Sequence, residues 1–188
     1  MKNLFAVIAL TAVVAVTAFK PAVKVDGVTY NVATDKSRVD WFASKKSGYH
    51  PGYFPLKSGN VTLNGNKLTG GTFVIDLANL KVTDGAGERL EGHLKSKEFF
   101  DVTAFGEATY TITSVNYTSE TTADINGNLS LKGLSIPVKF SSQIRNADEK
   151  NFFAEAFFTV DRLALGITWN PAGASKDVQI GVHLFAAK

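Results

Sequence analysis

Arg89 and His93 stand four residues apart in the segment Gly87-Glu88-Arg89-Leu90-Glu91-Gly92-His93-Leu94-Lys95. A guanidinium presents a planar fork of donors, so this segment has the chemistry to clamp a polar head group such as a phosphate. The competing use is ordinary. Arg89 would pair at the surface with Glu88 or Glu91, and His93 would cap or bond a backbone carbonyl. Phe99, Phe100 and Phe105 follow closely. They suit either the lining of a channel entrance or a staple that fixes the segment to a larger body. Three histidines, His50, His93 and His183, show no metal-ligand spacing, and the chain has no Cys. Thiol catalysis, disulfides and Cys-ligated zinc or iron–sulfur clusters are excluded. There is no G-x-S-x-G, no P-loop and no dinucleotide-binding glycine motif. The expectation is therefore no enzyme, no metal and no cofactor. A carboxylate pair assembled by folding is the one catalytic arrangement left open.

The 87–95 segment has Leu90 and Leu94 on one stripe with charges elsewhere, which predicts a short helix. Nearly everything else after Val28 has a period of two. Ile136, Val138, Phe140 and Ile144 alternate with polar or turn-forming residues. So do Ile125, Leu129 and Leu131, and again Val178, Ile180, Val182 and Leu184. This alternation predicts antiparallel strands with one dry and one wet face. Further strands are expected at about 28–33, 37–45, 57–64, 67–79, 105–118 and 150–163. Asn64-Gly65 reads as a hairpin turn, whereas Asn126-Gly127 reads as a bulge inside a continuous strand. Many evenly spaced strands and one helix predict an all-β fold: a closed antiparallel barrel of about eight strands, with a sandwich as the alternative.

A barrel of that size can be filled by side chains or can hold one small ligand. Fourteen Phe in 188 residues demand a large apolar interior, but alternation alone does not decide between solid and hollow. Phe73, Tyr110, Phe140, Phe158, Trp41 and Trp169 would touch a bound chain if they face inward, and a packed core needs the same residues. Segment 150–163 is apolar on both faces, which predicts cover over its outer face, most simply the 87–95 helix. Asp161 and Arg162 are neighbours in a strand and face opposite sides. Arg162 is expected to pair at a distance or to fix a loop. His183 falls on a polar face, toward solvent.

Lys2 followed by the apolar run Leu4 to Val16 and by Val16-Thr17-Ala18 has the pattern of a secretory signal peptide. The run is shorter than the roughly 20 residues a membrane-spanning helix needs. The expected organisation is a signal peptide over 1–18, a leader over 19–27 and one domain over 28–188. The expected location is the periplasm or the exterior. A formal charge of +3, with no basic stripe, gives no reason to expect a nucleic-acid partner.

Five ordered stretches carry a family resemblance: Tyr30 to Trp41, Gly71 to Leu77, Arg89 to Val102, Asn126 to Val138, and Asp161 to Ile167. Together they resemble the YceI-like family of secreted, polyisoprenoid-binding proteins, over about 28–186. The resemblance implies a lipocalin-like barrel, often dimeric, whose elongated cavity takes an isoprenoid or another long-chain amphiphile. The residues then expected at the ligand are Arg89, His93, Leu94, Phe73, Phe99, Phe100, Phe105, Phe140, Phe158 and Trp169. The expected partners are a long-chain lipid, a second copy of the chain and, transiently, a membrane. A filled barrel acting as an interaction module is the alternative.

Overall fold

The computed structural model describes residues 27–169 and 173–188. The expected signal peptide and all but Gly27 of the leader lie outside the described residues. In chain order the elements are β1 (Val28–Val32), β2 (Arg38–Lys45), β3 (Gly48–Asn64), β4 (Lys67–Asp76), β5 (Lys81–Val82) and α1 (Gly87–Lys95). Then come β6 (Glu107–Tyr117), β7 (Thr122–Leu131), β8 (Leu134–Ala147), β9 (Asn151–Asp161) and β10 (Ala174–Ala187). Eight strands form a closed antiparallel ring in the order β2, β3, β4, β6, β7, β8, β9, β10. It closes where β10 pairs with β2, with Ile180 opposite Trp41. Each strand pairs with its neighbour in sequence, apart from the closing pair and the insertion that carries β5 and α1. Closure leaves no free sheet edge around the ring.

β1 shares the lane of β2, pairing with the far ends of β3 and β10. The break between them is bridged by Ser37, whose Oγ donates to the Phe185 carbonyl (3.1 Å) and accepts from the Phe185 N–H (2.9 Å). A side chain thus replaces the ladder bonds the interrupted backbone cannot make. At this end the barrel is solid. Tyr30, Val61, Leu63, Leu68, Ala123, Ile125, Phe152, Ala154 and Ala186 are buried together. The opposite end is built differently. There β4 pairs with β3 only from Leu56 onward, and β5 takes its place beside Gly52 and Tyr53.

The Asn64-Gly65 expectation holds: Leu63 pairs with Leu68 and Asn64 with Lys67, and Gly65 adopts φ +58°. β7 runs unbroken through Asn126-Gly127. The register shift at that level lies between Ile112 and Ser114, so the extra residue belongs to β6. β3 begins at Gly48, nine residues before the predicted start at 57. A bulge between Leu56 and Ser58 reverses its inward parity. Before the bulge Phe54 and Leu56 face in, and after it Val61 and Leu63 do, so no single period-two pattern spans the strand.

The helix forms over 87–95 as expected. It does not cover the outer face of β9, as the two-sided apolarity of 150–163 suggested. It packs instead against β5 at the mouth of the barrel. Glu91 accepts a hydrogen bond from the Val82 N–H (3.1 Å) and lies 3.5 Å from Lys81 Nζ and 3.7 Å from Lys95 Nζ. These donors hold its carboxyl below the usual 4.5, the Val82 N–H foremost. The outer face of β9 stays open: Phe153 stacks on Phe185 with ring centres 4.1 Å apart, and Phe157 is 69% exposed.

Candidate functional site

Above the solid end the barrel is hollow. An inner chamber of about 210 Å³ is walled by strand residues that face inward, among them Val39, Phe73, Ile112, Leu129, Val138, Phe140, Phe158 and Val182. Phe140 and Phe158 stack in parallel with centres 4.5 Å apart, and Tyr110 tilts against Phe140 at 5.6 Å. The Tyr110 hydroxyl donates to the Val138 carbonyl at 3.0 Å, so it presents no unsatisfied polar group. Burial pushes its ionisation far above the usual 10. The surface offered to any occupant is overwhelmingly hydrocarbon and aromatic.

A second space of about 420 Å³ lies beneath α1. Its walls come from β2 (Trp41, Ala43, Lys45), the start of β3 (His50), the helix (Arg89, Leu90, His93, Leu94), Phe99 and Trp169. Phe54, Phe100, Arg162, Ile167 and Val178 line both spaces and form the neck between them. Phe54 and Phe100 meet edge to face there, 5.5 Å apart. The site is thus an antechamber leading through an aromatic neck into an apolar chamber.

Two polar devices hold the antechamber. Arg162 is buried and donates to the carbonyls of Ser175 (3.0 Å), Ile167 (3.0 Å) and Trp169 (2.6 Å). It fixes the loop after β9 and so presents Trp169 to the cavity, the loop-fixing role anticipated for it. Its neighbour Asp161 faces away, as expected, and binds Lys176 at 2.9 Å. On the other side His50 Nδ1 lies 2.7 Å from Asp84 Oδ2, which ties β3 to the lead-in of the helix. The Ala86 N–H, with His50 second, holds the Asp84 carboxyl below its usual value.

Of the residues singled out from sequence, Arg89, His93, Leu94, Phe99 and Trp169 converge on the antechamber. Phe73, Phe140 and Phe158 line the inner chamber, and Phe100 stands at the neck. Phe105 lies outside both spaces, 36% exposed, with its ring near Gly133 of the β7–β8 turn. The ordinary pairing of Arg89 with Glu88 or Glu91 does not form. Glu91 is engaged with Val82, Lys81 and Lys95. His93 packs edge-on against Trp169 (4.5 Å) and Phe99 (5.2 Å), with Glu98 at 3.9 Å. His183 is partly covered rather than open to solvent, lying between Asp40 (3.6 Å) and Glu155 (3.3 Å) on the outer wall. Sequence reasoning passed over Phe54, Lys45 and His50. They lie before the β3 bulge or beside it in β2, and Pro51, Gly52 and Pro55 obscured the strand.

A family model described as "YceI-like domain" matches residues 30–186. A UPF0312 protein of Pseudomonas putida strain W619 is 33% identical over 105 residues, 55% of this chain and about half (54%) of that protein. A UPF0312 protein of Pseudomonas fluorescens strain SBW25 is 28% identical over 156 residues, 80% of each chain. Among solved structures, BcnA of Burkholderia cenocepacia superposes with a TM-score of 0.71 at 19% identity, covering 82% of this chain and 99% of its own. A polyisoprenoid binding domain from Saccharophagus degradans gives 0.67 at 17%, covering 84% and 97%.

Proposed function

We propose that this chain, which belongs to the YceI-like domain family, binds a long-chain isoprenoid-type lipid, with the tail in the inner chamber and the polar end in the antechamber. The observation that carries the proposal is the pairing of a nearly pure hydrocarbon chamber with a donor-bearing antechamber through one aromatic neck. That division of walls matches an amphiphile end to end. Each buried methylene contributes about 0.8 kcal/mol before the costs of ordering and association. Affinity then comes from the chamber, and orientation from Arg89 and His93 at the mouth. The polyisoprenoid-binding description of the Saccharophagus domain supports the ligand class.

The proposed role is carriage rather than catalysis, because the polar residues at the chamber wall, Ser142, Glu155 and Arg162, are engaged in hydrogen bonds within the fold and the rest of the wall offers contact area. The sequence pattern of residues 1–18 supports export, which would place the carrier in the periplasm or outside the cell. Loading and release would then involve transient membrane contact. Tyr49 at the tip of the β2–β3 hairpin, with Phe42 and Phe157 on the outer wall, gives exposed aromatic surface for it. A second copy seated on that same face is the competing reading.

Titration of lipid-stripped protein with prenols of increasing length tests the proposal. Affinity should rise with each isoprene unit and level off once the chamber is full. Phe158→Trp should move that plateau to a shorter chain, because it adds volume beside Phe140. Affinity that is absent at every length, or indifferent to length, would remove the chamber from the account.

A further inference from the structure

The antechamber carries a chemical bias that a general lipid carrier does not require. Lys45, His50, Arg89, His93 and Arg162 all line it, and no Asp or Glu among the described residues does. Lys45 lies on the inward side of β2 with Trp41 and Ala43. Neither Lys45 nor Arg89 has an ion-pair partner among the described residues. The nearby carboxylates sit at the rim: Asp84 with His50 and the Ala86 N–H, Glu91 with β5, and Glu98 3.9 Å from His93.

Trp41 forms part of the same wall. Its side chain is only 4% exposed, yet its Nε1–H has no acceptor among the described residues. A buried N–H without a partner is unfavourable, and native structures keep few of them. Its placement is specified by the chain, not accidental. Trp41 pairs with Gly52, and a Cβ at Gly52 would collide with the Cζ2 and Cε2 atoms of the indole. Glycine there lets the ring lie flat on the β3 backbone, on the wall of the antechamber.

Resting on the carrier reading above, we infer that the antechamber selects an anionic head group over a neutral one. Lys45 and Arg89 supply the charge. The cargo is then an acidic long-chain amphiphile, a phosphate ester in the simplest case. Lys45 and Arg89, with no carboxylate among the described residues paired to them, stabilise an anion, and a hydroxyl of the same chain gains only the ordinary hydrogen bond.

The chain's two Trp, Trp41 and Trp169, both line this space, so intrinsic fluorescence reads its occupancy. Titration would compare geranylgeranyl phosphate with geranylgeraniol, which share one tail, and with inorganic phosphate alone. The phosphate ester should bind about tenfold or more tighter than the alcohol, with the gap narrowing as salt rises. Lys45→Gln combined with Arg89→Gln should bring the two within about threefold. Inorganic phosphate should not compete at concentrations that saturate with the ester, because it has no tail. Equal affinity of ester and alcohol in the unaltered protein overturns this inference and leaves the carrier reading standing. Competition by inorganic phosphate at those concentrations overturns it in favour of a plain anion site. Failure of both lipids to bind overturns the carrier reading itself.

Discussion

At the scale of single residues, the hollow and solid parts of the barrel are set by where rings find room. Gly127 on β7 faces Tyr110 across the β6–β7 pair, and a Cβ there would collide with the Tyr110 ring. Gly127→Ala should therefore cost about 1–3 kcal/mol through displacement of that ring. Gly92, inside α1, has nothing within 4 Å of its would-be Cβ. Gly92→Ala should stabilise by up to about 1 kcal/mol, through helix propensity alone. Urea unfolding of the two variants side by side measures both, and a common sign would contradict the packing account. Arg162 is a second residue whose geometry exceeds its charge. Arg162→Lys keeps the cation and loses the fork, so the carbonyls of Ser175, Ile167 and Trp169 compete for one ammonium. A loss of about 2–3 kcal/mol and a red-shifted Trp169 emission are expected. The opposition of Asp161 and Arg162 was legible from strand parity. The three carbonyls that Arg162 serves were not, because they lie on a loop whose path no periodicity encodes.

At the scale of elements, α1 depends on β5 more than on its own caps. Its N-terminus has no side-chain cap, and Glu91 supplies the tie to Val82. The folded carboxyl titrates below its ordinary value, so the tie is fully present above about pH 4.5 and is lost as pH falls through the lower folded value. Glu91→Gln should be less stable than the unaltered protein near neutrality by about 1 kcal/mol. That gap should close as the pH falls through the lowered folded value, below which both chains are neutral at this position. Denaturation midpoints across that range check the sign; a gap that widens in acid would contradict it. The helix bounds were readable because Leu90 and Leu94 give a clean stripe. The first half of β3 was not, since the 56–58 bulge switches which residues face inward and Pro51 and Pro55 look like turn signals. In the sheet those prolines pair with Phe42 and Arg38, at the end where β4 has already left β3. Lys45, His50 and Phe54 were hidden for this reason, while Phe73, Phe140 and Phe158, which line the inner chamber, lie on strands whose alternation could be read.

At the scale of the whole molecule, the meander closes on itself and grades from a packed floor to an open mouth. Tyr30, Phe152 and their neighbours fill the floor, and the helix roofs the mouth. The alternation that announced a barrel carried no information on this gradient, since inward Val, Ile and Phe serve a core and a cavity equally. The gradient is what the proposed carrier role needs: a floor that stabilises the fold without cargo, and a chamber free to be filled. Extraction of the purified protein with organic solvent, followed by mass spectrometry of the extract, tests that claim most directly. The account predicts about one equivalent of a long-chain isoprenoid-type lipid per chain. A clean extract, from protein that also takes up no added prenyl lipid, would contradict it.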